Sequence, residues 1–248
     1  MLSPLPNLLL KFVSTISKEQ VLDLSVKIKR SLTYLKSSPQ WIATASIFKD
    51  PNPDNKSATS EGIFVFTSSR PTVCIGDAIQ VSGTVAEFRP GGDFNNLTTT
   101  QITSPAITIL LRDNALPATR IGAGDRTPPT DVIFPSGVFF YESLEGMRVT
   151  AQDAVAVSPT NIWANSSELW AVLDQGAGAT GINSRGGITI SPNDFNPERI
   201  QIDDRLFTNF SNPPVNVGDL LGDITGVIGY GFGNYQFLVT GKGGLGNP

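Results

Sequence analysis

Histidine is absent from the sequence, and the absence excludes much. Without imidazole there is no serine or cysteine triad of the usual kind, no ordinary zinc site and no histidine acting as general acid or base. Cysteine is nearly absent too: Cys74 stands alone, so no internal disulfide forms and the redox compartment is left open. With nothing to activate its thiol, Cys74 reads as a small, partly buried side chain beside a turn rather than a nucleophile. Long apolar runs are missing as well. The most hydrophobic stretch, residues 8–13, is short and broken by Lys11, so no membrane span is expected. Residues 1–7 hold no basic side chain and no small-residue cleavage site follows, so no signal peptide is evident.

Positive charge is scarce outside the N terminus. Residues 1–36 carry six basic against two acidic side chains, whereas the remainder carries twelve against twenty. The body therefore lacks the broad basic footprint of a nonspecific nucleic-acid binder.

What is plentiful is glycine, proline, threonine and asparagine, in a chain long enough for one large or two small domains. Short alternating segments between turn signals predict strands near 41–48, 63–67, 78–88, 97–103, 106–111, 147–157, 169–173, 199–203, 220–230 and 235–240. Pro105 is expected to stop one strand, and residues 231–234 to turn the last hairpin. Near the N terminus two patterns compete. Ser17 and Gln20 can form a capping box, with Val21, Leu24, Ile28, Leu32 and Leu35 on one helical face. Leu22, Leu24, Val26 and Ile28 also alternate with polar residues, as a strand would. The helical stripe is the longer, so a helix is the expectation.

The organising feature is a duplication. The phrase VCIGDAIQVSGTV (73–85) returns as VNVGDLLGDITGVI (215–228): Gly76-Asp77 matches Gly218-Asp219 at an offset of 142, and Gly83 matches Gly226 at 143. Each copy reads as a Gly-Asp turn feeding a half-buried strand, with the later glycine at a bulge or tight bend. Upstream, Glu61-Gly-Ile63 is echoed by Glu198-Arg-Ile200 at an offset of 137, and Asp50 by Asp174 at 124. The predicted fold class is all-β, with two tandem OB-like barrels. A divergent basic segment (1–40) precedes the first unit (41–113); a linker or long loop (114–140) leads to the second (141–240), and 241–248 form a flexible tail.

The blocks DPNPDNKSATSEGIFVF (50–66), VSGTVAEFRPGG (81–92), NLTTTQI (96–102), YESLEGMRV (141–149), NPERIQIDD (196–204) and GDITGVIGYGFGNYQF (222–237) resemble the non-catalytic region of large bacterial extracellular nucleases. The likeness covers about residues 46–240. In those proteins the region is OB-like and precedes a catalytic domain of the endonuclease/exonuclease/phosphatase type. The resemblance implies an extracellular, non-catalytic accessory region that holds DNA or positions a catalytic domain. That domain needs histidines and would begin after residue 240, so no nuclease residue carries over to this chain. DNA and a separate nuclease catalytic polypeptide are the partners implied. The alternative is a structural or protein-interaction β module of an exported assembly, without a nucleic-acid ligand.

Candidate binding residues follow from chemistry. Tyr230, Phe232, Tyr235 and Phe237 lie on one hairpin, where OB modules stack bases, although aromatics in barrel strands also fill cores. Arg89, Arg148 and Arg199 could contact phosphates or pair with nearby carboxylates. Asp50, Asn52, Asp54 and Glu61 carry oxygens at relative positions 1, 3, 5 and 12, a spacing calcium can use, yet Asn55 replaces the motif's turn glycine. A plain Asx-rich turn competes with that reading. Asp203-Asp204, at a strand end, reads as an exposed turn in preference to a metal site.

Overall fold

The period-2 patterns become strands laid out in two sheets. A computed structural model describes residues 56–122, 124–131, 136–163, 166–204, 206 and 214–240, and the backbone of two earlier strands. The first sheet holds β1 (Ser31–Tyr34), β2 (Ala45–Lys49), β3 (Gly62–Phe66), β4 (Ala78–Phe88) and β5 (Thr99–Leu111). The second holds β6 (Thr119–Ile121), β7 (Arg148–Ala156), β8 (Asn161–Ile162), β9 (Ser167–Val172), β10 (Ile200–Asp203), β11 (Leu220–Gly231) and β12 (Asn234–Val239), with helix α1 (Ser136–Glu142) between β6 and β7.

Strand order reveals the duplication. The first sheet runs β1-β2-β3-β5-β4, and the second contains the same order as β7-β9-β10-β12-β11. In each, the third and fifth strands are parallel: β3 with β5, and β10 with β12. Pairing of β7 with both β9 and β11 closes the second set into a five-stranded barrel. These are two OB-like units of one design.

The matching residues do matching work. Asp77 Oδ2 accepts from Cys74 N at 2.8 Å and Asp219 Oδ2 accepts from Asn216 N at 2.7 Å, so each Asp caps its own turn. Gly76 and Gly218 supply the left-handed residue there, at φ 87° and 90°. A side chain at Gly83 would lie 2.5 Å from Ile102, and one at Gly226 would lie 2.5 Å from Phe237. Both glycines let a large core side chain from the neighbouring strand cross over the backbone.

Among the described residues, three apolar clusters hold the chain. Val65, Val73, Ile79, Val81 and Ile102 fill the first unit. The second barrel encloses a larger set that includes Leu169, Ile202, Ile224, Ile228 and Phe237, and Phe140 and Tyr141 of α1 pack into it. Leu206, Val227 and Leu238 form the third cluster, joined by Phe64 of β3 and by Leu116, so it bridges the two units.

Three expectations need correction. Ser31–Tyr34 is a strand, not helix, because it pairs antiparallel with β2; the barrel's need for a first strand overrides a local helical stripe. Residues 1–30 and 35–44 lie outside the described residues. Pro105 does not stop its strand: β5 continues through it, and the ladder already breaks there, between Ser82 and Thr84 opposite, with Ser104 at φ 49°. A proline without a donor is tolerated at such a bulge. The stretch 114–140, expected as a linker, contributes β6 and α1 to the second sheet and its core.

The units meet at backbone level. A Cβ on Gly62 would lie 2.2 Å from the Gly146 carbonyl carbon, far inside contact distance. Ser60 Oγ donates to Glu145 O at 2.6 Å, and Arg126 Nη2 bridges Ser57 O at 2.8 Å and Ser143 Oγ at 2.5 Å. Gly62→Ala is expected to destabilise the chain by about 3 kcal/mol or more, because neither backbone can yield. Gly91→Ala, which meets nothing within 4 Å but sits at φ 68°, should lose only about 1–2 kcal/mol. Urea unfolding midpoints of the two variants check this ordering.

Candidate functional site

Docking the units brings two hairpin ends together. One is the β4–β5 connection, residues 89–98; the other is the β11–β12 turn at Phe232-Gly233. Leu97 N donates to Tyr230 Oη at 3.1 Å across the junction, and a Cβ on Gly233 would lie 3.5 Å from Asn96 Oδ1. Three aromatics crown these ends: Phe94 is 92% exposed, Phe232 84% and Phe88 50%. Arg89 braces its loop by donating to Asn96 O and Phe94 O, with its guanidinium 5.9 Å from the Phe94 ring centre. Exposed rings beside an arginine make a surface suited to stacking flat π systems.

The aromatic residues singled out by sequence divide sharply. Phe232 alone among the four is presented to solvent. Phe237 is fully buried in the barrel core, which overturns its reading as a base-stacking residue. Tyr230 and Tyr235 are half-buried and pack edge to face, ring centres 5.2 Å apart. Tyr235 also stacks on Tyr141 at 5.8 Å and donates a short hydrogen bond to Glu142. These two tyrosines build the junction and do not offer a face.

The arginines are dispersed. Arg148 donates to Leu116 O at 2.6 Å, and Arg199 stacks over Trp170 at 4.4 Å, so each serves its own locality. Only Arg89 joins the crown. Of the calcium set, Asp50, Asn52 and Asp54 lie outside the described residues, and Glu61 sits just before β3. Asp203 and Asp204 are not an exposed turn: they are 2% and 1% exposed, and Asp204 accepts from Ser167 N at 2.7 Å and Ser167 Oγ at 2.6 Å. Cys74, expected to be partly buried, is exposed. Among the described residues no group of three or more Asp, Glu and Cys side chains is arranged to hold a metal ion, and no helix is long and apolar enough to cross a membrane.

A family described as a domain of unknown function (DUF8508) matches residues 120–247. The chain belongs to that family. No curated protein and no solved structure matches it. The DUF8508 match begins within β6 and takes in α1 and the closed barrel, whereas β1–β5 precede it.

Behind the crown, the DUF8508 barrel contributes a carboxylate pair to the junction. Burial raises the Glu142 carboxyl above the usual range against the lowering effect of Tyr235's hydrogen bond, and nearby Glu87 raises it further. Glu145 is pushed up to about 8, first by burial and then by the neighbouring Glu142 carboxylate; the Thr99 hydroxyl offsets only part of this. One Glu145 oxygen, Oε1, is buried without a partner. Burial, with the adjoining Glu142, also raises the Tyr235 phenol, which keeps it a donor.

Sequence reasoning missed Phe88, Phe94 and this acidic junction. Phe94 did carry a signal: an aromatic inside the turn-rich run PGGDFNN has no alternating neighbours to pull it into a core. The junction carried none, because residue 87, the pair 142 and 145, and residue 235 are distant from one another in the chain.

Because Glu145's folded value lies above its unfolded one, the fold binds this proton more tightly than the unfolded chain does. Its stabilising effect is complete below about pH 4.5 and is lost as pH rises to about 8. The urea midpoint of the parent chain is expected to fall between pH 5 and 8, and Glu145→Gln is expected to flatten that fall.

Proposed function

We propose that this chain is a non-catalytic accessory region that holds single-stranded DNA on the crown formed by Phe94, Phe232 and Arg89. The observation that carries the reading is the side-by-side placement of two hairpin ends, one from each OB-like unit, with aromatic rings turned to solvent. Stacking on such rings tolerates any base, as a region that holds rather than reads DNA requires. The likeness of blocks such as VSGTVAEFRPGG and GDITGVIGYGFGNYQF to the accessory region of bacterial extracellular nucleases supports it. On this reading hydrolysis belongs to a separate catalytic polypeptide, and the accessory region works outside the cell.

The net charge of −4 sets the strength of the interaction. One arginine offers a single phosphate contact, so binding is weak and falls as salt rises. The carboxylates Glu87 and Glu142 at the junction favour a second reading, a protein-interaction module of an exported assembly, since negative charge repels phosphate.

Fluorescence anisotropy with a labelled single-stranded oligonucleotide separates the two. Binding is expected at about 20 mM salt and is expected to be weakened severalfold at about 150 mM. Phe94→Ala and Phe232→Ala should each lower affinity by about fivefold or more. No anisotropy change at low salt, or an affinity in both variants equal to that of the parent chain, rejects DNA holding on the crown.

A further inference from the structure

We propose that the loop between β9 and β10 holds a hard divalent cation, with calcium as the best match, through Glu198 Oε2 and Asn196 Oδ1. Both side chains are almost wholly enclosed, at 5% and 1% exposure, and both of these oxygens are buried without a hydrogen-bond partner. Two orphaned acceptors two residues apart are unusual in a folded core. Their other ends are fixed by a single residue. Thr180 donates from N at 2.7 Å and Oγ1 at 2.9 Å to Glu198 Oε1, while Asn196 Nδ2 donates to Thr180 O at 3.2 Å. Thr180 thus uses the Asn amide nitrogen and one Glu oxygen, and leaves one oxygen of each over.

Glu198 faces a cavity of about 50 Å³, whose wall also includes Asp174 and the backbone of Gly178. That volume takes a water or an ion. A water would satisfy hydrogen bonding but leave a buried carboxylate with no charged group in direct contact. Among the described residues Glu198 makes no ion pair: the guanidinium of adjacent Arg199 is attracted to the Glu198 carboxylate but lies over Trp170, 4.4 Å from the ring centre, and makes no direct contact with it. A cation supplies what is missing. Oxygen donors of mixed kind, a carboxylate and an amide with room for water, suit calcium's flexible shell of six to eight oxygens.

The duplication gives the site a counterpart. Asp174 and Glu198 flank the loop between the second and third barrel strands of the second unit, and Asp50 and Glu61 hold the same places in the first. The site proposed here is the one in the second unit.

Calorimetric titration of calcium into the EDTA-stripped whole chain is expected to show binding, with Kd on the order of 10⁻⁴ M, and a matching rise in melting temperature. Glu198→Gln should weaken the Glu198-dependent binding at least tenfold. Asn196→Asp should tighten it while lowering the melting temperature of the metal-free chain. Absence of both heat and thermal shift at about 10 mM calcium means an ordered water only and overturns the proposal. So does binding that is unchanged in both variants, or that is lost only in Asp54→Asn, which would move the ion to the first unit's loop. If Glu198→Gln fails to fold, an unaltered affinity in Asn196→Asp overturns it.

Discussion

The contact of Gly62 with Gly146 is the constraint on which the arrangement depends. Two backbones approach so closely that a methyl group on Gly62 would overlap a carbonyl carbon. Gly146 takes a left-handed conformation, φ 69°, at the turn into β7, and its N–H donates to Ile228 O at 2.7 Å. The contact is therefore anchored inside the second barrel on one side and at the start of β3 on the other. Around that fixed point the other contacts of the junction set the angle between the units: Phe64 reaching Val227 and Leu238, Ser60 on Glu145, Tyr230 on Leu97.

The same design is used twice, with different outcomes. Each unit needs a capped Gly-Asp turn, a glycine under a large side chain and a parallel pairing of third and fifth strands. These are requirements of the barrel, since the chain must re-enter the sheet beside its third strand without a clash. The second unit adds β6, β8 and α1, and its core is correspondingly larger. Buried polar groups are also concentrated there. Gln236 Nε2 donates to Gln201 Oε1 at 2.8 Å, and Gln201 Nε2 to Glu168 Oε2 at 2.6 Å, a chain running across three strands. Satisfied networks of this kind fix register where apolar packing alone would permit slippage.

The surface at the hairpin ends owes its character to the same geometry. Strands bury alternate residues, but a connection between strands has no such alternation, so Phe94 and Phe232 remain outside. Acidic residues gather beneath them because two units meet there, each bringing carboxylates that would be well hydrated in isolation. Enclosure then holds Glu145 protonated near neutrality, which removes a charge the junction could not otherwise accommodate.

Sequence alone determined the class and the repetition. Alternation placed β3, β4, β7 and β9–β12 to within about two residues, and the repeated Gly-Asp and later glycine marked equivalent points of two units. Local patterns succeed here because a strand's burial has period two and a tight turn demands a particular residue. Tertiary structure decided the rest. It made residues 31–34 a strand by giving them β2 as a partner, carried β5 through Pro105 by placing a bulge there, and sent Phe237 inward while leaving Phe232 outside. It also assembled Glu142, Glu145 and Tyr235 in one place and Glu198, Asn196 and Thr180 in another. Pairing, burial and docking are sums over groups distant in the chain, so no window of sequence contains them.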